Sequence, residues 1–226
     1  MNSKSLYRVM IAMAVASILW AILNRFVWDP GAAEFLSHKS GLKRTVPMPA
    51  WLTVLDVHIL FASAALLAGA LNFSNRLLRH YRKVHRWTGY MYLFSVLAVL
   101  LTSGYMAPYS TGGKTVSVMF NLWNIAWFAV TLMAFVSIKR KRIAEHRNWM
   151  IRSYAFCFTN LSIHLCLIVF SDWLGWDYEK AYTCSVLASI LLLLAAAEAV
   201  IRINGKNSIT ITKGENTNAE YPNRLV

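Results

Sequence analysis

The chain has 226 residues, is 57% hydrophobic and 15% charged, and carries a formal net charge of +13. The charged fraction is well below the roughly 25% of a soluble protein, and apolar runs of about 20 residues recur, the signature of membrane spans. The positive charge lies in short segments between those runs, which argues against nucleic acid as its partner, and Cys157, Cys166 and Cys184 form no CxxC or CxxCH, which excludes covalent haem attachment and a zinc ribbon.

Residues 1–8 are polar, with Lys4 and Arg8, and 9–27 form the first apolar span. It is long for a signal-peptide core and no small-x-small cleavage site follows it, so an uncleaved helix is expected. Residues 28–50 form a loop punctuated by Asp29-Pro30-Gly31 and Pro47-Met48-Pro49, with Lys39, Lys43 and Arg44. The second span covers about 51–74. His58, Ala62, Ala65, Gly69 and Asn72 share one of its faces. Small residues there suit close packing of another helix, or of a flat ligand. Asp56 lies roughly 160° around the helix from His58 and is not its obvious partner.

Residues 75–86 are strongly basic: Arg76, Arg79, Arg82, Lys83 and Arg86, with His80 and His85. The third span is about 87–107, and a turn with Pro108 and Gly112-Gly113 follows. The fourth span, about 116–138, carries Asn121 and Asn124. A second basic run, 139–147, leads into the fifth span, 147–170. Residues 171–180 are acidic, with Asp172, Asp177 and Glu179. The sixth span is about 181–201, with Glu198 near its end. Residues 203–226 are polar without helical periodicity and read as a flexible cytoplasmic tail.

The expected fold is therefore all-α, a polytopic six-helix transmembrane bundle. Loops rich in Arg and Lys alternate with loops that have one lysine each, which puts both termini in the cytoplasm of a cell-membrane protein. Trp51, Trp123, Trp127, Trp173 and Trp176 would then form a belt at the outer interface. Span two, its basic loop and His85-Arg86-Trp87 resemble span four, its basic loop and His146-Arg147-Asn148-Trp149, a weak parallel repeat.

The histidines carry the chemistry. His146 and His164 are 18 positions apart. On one straight helix they share a face that also bears Met150, Ser153, Cys157 and Asn160, with a rise of about 27 Å. With the topology above, His58 lies about 10 Å and His164 about 9 Å below the outer end of their spans. His85 and His146 share the cytoplasmic boundary. The four sort into an outer and an inner pair. Imidazole is a natural axial ligand of b-type haem, and facing helices can supply one each. The outer pair is the better candidate, because a histidine that deep is costly without a role. Interhelical hydrogen bonding, or a proton or substrate site, is its alternative. For His85 and His146, contact with lipid phosphates at a helix start competes with haem ligation.

The segments His85-Arg86-Trp87-Thr88-Gly89-Tyr90-Met91-Tyr92 and Glu145-His146-Arg147-Asn148-Trp149-Met150-Ile151-Arg152-Ser153-Tyr154-Ala155, with His58 and Gly69, resemble a family of prokaryotic membrane proteins described as a domain of unknown function. The resemblance covers about residues 50–170. It implies an integral membrane protein. That family often has arginine where this chain has His164. The six-span layout with paired histidines is also similar to that of two-haem b-type transmembrane cytochromes.

Three functions follow as expectations. The first is a membrane electron carrier or reductase holding haem b, with a redox partner. The second is a cofactor-free transporter, its cavity lined by Asp56, His58, Asn121, Asn124, Asn160 and His164. The third is an assembly protein whose Arg79, Arg82, Lys83, Arg86 and Arg147 meet anionic lipid headgroups. The sequence leaves the oligomeric state open. No nucleotide-binding glycine loop, Ser-His-Asp pattern or HExxH is present.

Overall fold

A computed structural model describes residues 3–33, 37 and 46–219, with the backbone alone for 3, 4 and 206–219. The basic residues Lys39, Lys43 and Arg44 of the first loop, and His38, lie outside the described residues. In chain order the helices are α1 (Ser3–Leu23), α2 (Met48–Asn72), α3 (Asn75–His80), α4 (Arg82–Met106), α5 (Gly113–Lys139), α6 (Ile143–Ala155), α7 (Thr159–Leu167) and α8 (Tyr178–Ala219). Among the described residues there is no strand. Six stretches are long and apolar enough to cross a membrane: Ser5–Trp28, Met48–Asn72, Arg82–Tyr109, Gly113–Lys139, Ile143–Trp173 and Tyr178–Gly205. The protein is an all-α, multi-pass membrane protein.

Local chemistry sets the helix ends. Pro47 and Pro49 start α2, where a missing N–H costs nothing. Ser74 Oγ accepts from the Leu77 N–H and caps α3. Pro108 sits in the 3₁₀ turn Ala107–Tyr109 that closes α4. Gly112 (φ +83°) and Gly113 (φ +60°) then reverse the chain into α5. Arg142 closes the short α5–α6 connection, its N–H donating to the Ser137 carbonyl.

Leu60, Phe94, Leu101, Leu122, Ile125 and Leu191 are all more than 60% exposed. Around a helix bundle such a surface is stable only against hydrocarbon. The core lies between the helices and is aromatic: Tyr92, Trp123, Trp127, Tyr154, Phe156 and Phe158 are buried together with Ala65, Leu66 and Val96. α2 packs on α4, α4 on α5, α5 on α6, and α8 covers α6 and α7. Tyr154 closes the ring from α6 back to α2. Its ring lies where a Cβ on Gly69 would be, and its hydroxyl donates to the Leu66 carbonyl at 2.9 Å. Only glycine admits that approach. The small-residue stripe of α2 is thus filled by protein, and the flat-ligand reading of it gives way to packing.

Three departures from expectation matter for the site. The tryptophan belt breaks up: Trp51, Trp123 and Trp127 are buried, while Trp173 and Trp176 are exposed. Two of the buried ones found interior acceptors for their N–H groups, Thr159 Oγ1 for Trp123 and Ser153 Oγ for Trp127. The fifth span is not one straight α-helix. A 3₁₀ turn, Phe156–Phe158, separates α6 from α7, and a π turn, Ile168–Trp173, ends it. Each 3₁₀ residue advances about 120° rather than 100°, so three of them rotate everything beyond by about 60°. Ser153 is therefore buried, while Asn160 and His164 emerge on an exposed face. The α8 backbone continues to Ala219, past the boundary expected near residue 201. Residues 220–226 lie outside the described residues.

Candidate functional site at the basic end of the bundle

His85 stands in the first turn of α4, and His146 in the first turn of α6. Seven residues beyond each come Tyr92 and Ser153. A heptad on an α-helix returns to within about 20° of the same face. The Tyr92 hydroxyl meets Ser153 Oγ at 2.7 Å. The two faces that carry the histidines therefore look at one another. α4 and α6 stand diagonally in the ring: each packs on α5, and Tyr92 bridges the interior between them.

The first turns are pinned. His146 Nδ1 lies 2.8 Å from the Ala134 carbonyl of α5. A carbonyl only accepts, so Nδ1 carries the proton and Nε2 keeps its lone pair. Opposite, the Asn72 carboxamide reaches over from α2. In the orientation that satisfies its neighbours, its NH₂ lies 2.6 Å from Thr88 Oγ1, 3.0 Å from the His85 carbonyl and 3.3 Å from His85 Nδ1, while its oxygen accepts from the Gly89 N–H at 3.0 Å. An NH₂ has two hydrogens, and the two shorter contacts take them. Asn72 thus fixes the backbone under His85 and reaches its imidazole only by the longest of the three contacts.

Below the pair lies a closed hydroxyl hub. Thr131 Oγ1 donates to the Trp127 carbonyl at 2.8 Å, so towards Ser153, 2.7 Å away, it accepts. Ser153 gives its one proton to Thr131. Its two lone pairs take the Tyr92 hydroxyl and the Trp127 N–H, the latter at 3.3 Å. Every capacity of Ser153 is used, and Ser153 and Tyr92 are both 0% exposed. Such a satisfied network is a rigid floor rather than a ligand site.

At the opposite end the polar groups are settled two by two. Thr102 Oγ1 donates to the Ala98 carbonyl at 2.8 Å and accepts from His58 Nδ1 at 2.9 Å. Asn124 donates to Ser103 Oγ at 3.0 Å. Asp56 holds Arg25 through two oxygens at 2.6 and 3.1 Å. Asn121 is exposed and donates to its own helix at Ser117. No hydrogen bond joins His58 to His164 among the described residues; of the six residues expected to line one cavity, Asp56, His58, Asn121 and Asn124 are bonded to different neighbours, and Asn160 and His164 are exposed. No group of three or more His, Cys, Asp or Glu side chains gathers at one point among the described residues.

A family model described as "Predicted membrane protein (DUF2306)" matches residues 55–201. The chain belongs to this family. No curated protein and no solved structure matches it.

The DUF2306 match contains the whole basic-end site, both histidines, the Asn72 brace and the hub. It leaves out α1, and with it Arg25. Two ion pairs escaped the sequence reading. Arg25–Asp56 joins the end of span one to α2, with the arginine side chain 11% exposed. Arg152–Glu198 joins α6 to α8 at 2.6 Å, and Trp149 stacks on the Arg152 guanidinium at 4.7 Å. The available signal was the charge inside an apolar span, which is rarely left unpaired. Tyr92 was missed too, although it stands one heptad from His85, as Ser153 does from His146. Arg79, Arg82, Lys83, Arg86 and Arg147 are all exposed around the basic end.

Proposed function

We propose that this DUF2306 protein is a membrane electron carrier that holds one b-type haem at its basic end, with His85 and His146 as axial ligands. The basic end faces the cytoplasm in this reading, as the Arg and Lys bias of its loops supports. One observation carries the proposal: two histidines from diagonal helices occupy facing sides, fixed by the Tyr92–Ser153 bond one heptad deeper. The donor chemistry fits. His146 has its Nδ1–H held by a backbone carbonyl, the arrangement that orients a metal-bound imidazole and exposes Nε2. The His85 ring meets only the longer approach of the Asn72 NH₂, 3.3 Å from its Nδ1, among the described residues. The pair expected from sequence, His58 with His164, fits less well, since the 3₁₀ turn Phe156–Phe158 carries His164 onto an exposed face.

When bound, haem supplies a one-electron couple. The chain's own residues hold the geometry. Ala134 and Asn72 fix the two first turns, and the hub keeps α4 and α6 in register. A carrier also needs a redox partner, and the exposed arginines around the basic end suit an acidic one. The test is the absorption spectrum of the purified protein, produced with ample haem or titrated with haemin in detergent. A Soret band with the narrow α band of six-coordinate haem b after dithionite is expected. A protein that stays colourless under both conditions would refute the reading.

A further inference from the structure

A second feature is independent of the histidines. Between α4 and α5 a groove of about 180 Å³ opens sideways toward the lipid. Leu93, Leu97 and Leu100 line it from α4, and Leu132 and Phe135 from α5. Thr131 lies at its floor, but its hydroxyl is already engaged by Trp127 and Ser153. The groove therefore presents hydrocarbon only.

Each wall ends in a cation. Leu93, Leu97 and Leu100 follow i, i+4, i+7, and one heptad back from Leu93 on the same face stands Arg86. On α5, Lys139 is four residues beyond Phe135, and its Nζ sits 5.3 Å from the centre of that ring. The helices run antiparallel, so both cations crown the groove at the basic end. Both are exposed. The acidic residues near that end are engaged elsewhere, Glu145 with Arg142 and Glu198 with Arg152. Among the described residues neither Arg86 nor Lys139 enters an ion pair.

We infer that groove and cations form one site for an anionic phospholipid, with an acyl chain between α4 and α5 and the phosphate between Arg86 and Lys139. A chain lying in the groove replaces loosely packed lipid by fixed contacts. Two cations at interfacial depth select a net negative headgroup over a zwitterionic one.

The test is native mass spectrometry of the full chain in detergent, titrated separately with phosphatidylglycerol, phosphatidylcholine and soluble glycerol phosphate. One phosphatidylglycerol should be retained in preference to phosphatidylcholine, and glycerol phosphate should not bind. The double variant Arg86→Gln/Lys139→Gln should weaken phosphatidylglycerol binding at least about tenfold, since each charge near the surface is worth about fivefold. Leu97→Trp, which fills the groove from its exposed side, should weaken it comparably. Lys114→Gln and Lys180→Gln, at the other end, should change nothing. Equal retention of the two lipids, or unchanged binding in both the double and the Leu97 variants, would overturn the site. Binding of glycerol phosphate as tight as that of lipid would make it a phosphate site and overturn the acyl-groove assignment.

Discussion

The two ends of the bundle treat histidine differently. At the end opposite the basic loops, His58 is tied to α4 through Thr102, and Asn124 to the same helix through Ser103. These are pairwise ties of the kind that hold membrane helices together, each worth about 0.6 kcal/mol on average. At the basic end, polar groups from α4, α5 and α6 converge on Ser153, and two histidines stand above that hub. The contrast teaches that a polar residue's depth says little about its use. What distinguishes a site is whether its neighbours satisfy it or merely hold it in place.

The largest effect that sharpens this comparison concerns the glycines. Gly69→Leu collides with the Tyr154 ring that joins α6 to α2, and should cost about 3 kcal/mol of overpacking in detergent unfolding. Gly104→Ala, near the opposite end, meets nothing within 4 Å and should stabilise the protein by about 0.5–1 kcal/mol through helix propensity. Similar melting temperatures for the two variants would remove the case for a tightly built basic half.

Next comes the hub. Ser153→Ala leaves the Tyr92 hydroxyl and the Trp127 N–H buried without their acceptor, and should cost about 1–3 kcal/mol. Asn124→Ala should cost only about 0.6 kcal/mol. If the two substitutions destabilise equally, the network is no more than another pairwise tie. The smallest effect is expected at His164. It is exposed and makes no hydrogen bond among the described residues, so His164→Ala should stay within about 0.5 kcal/mol of the parent. A loss above 2 kcal/mol would restore a structural role to the outer pair.

The six spans were legible because length and apolarity are properties of a segment alone. The family was legible because His85-Arg86-Trp87 and His146-Arg147-Asn148-Trp149 are local motifs. The relation between His146 and His164 was not, because it passes through Phe156-Cys157-Phe158. That tripeptide contains no proline or glycine to announce a 3₁₀ turn, yet the turn rotates His164 away from the face of Ser153. The partner of His58 was equally hidden. Thr102 lies 44 residues away, and only the packing of α2 on α4 brings it close. Trp123 and Trp127 read as interfacial because tryptophan favours interfaces; burial with a bonded N–H leaves the same trace in a sequence. Tyr92 was within reach, since the heptad from His85 to Tyr92 repeats from His146 to Ser153.

The most direct test of the basic-end assignment compares four single variants by the visible spectrum of haem-loaded protein. His85→Ala and His146→Ala should each abolish the six-coordinate spectrum, whereas His58→Ala and His164→Ala should each keep it. Loss of the spectrum in the His58 and His164 variants, with His85 and His146 dispensable, would contradict the account and return the site to the opposite end of the bundle.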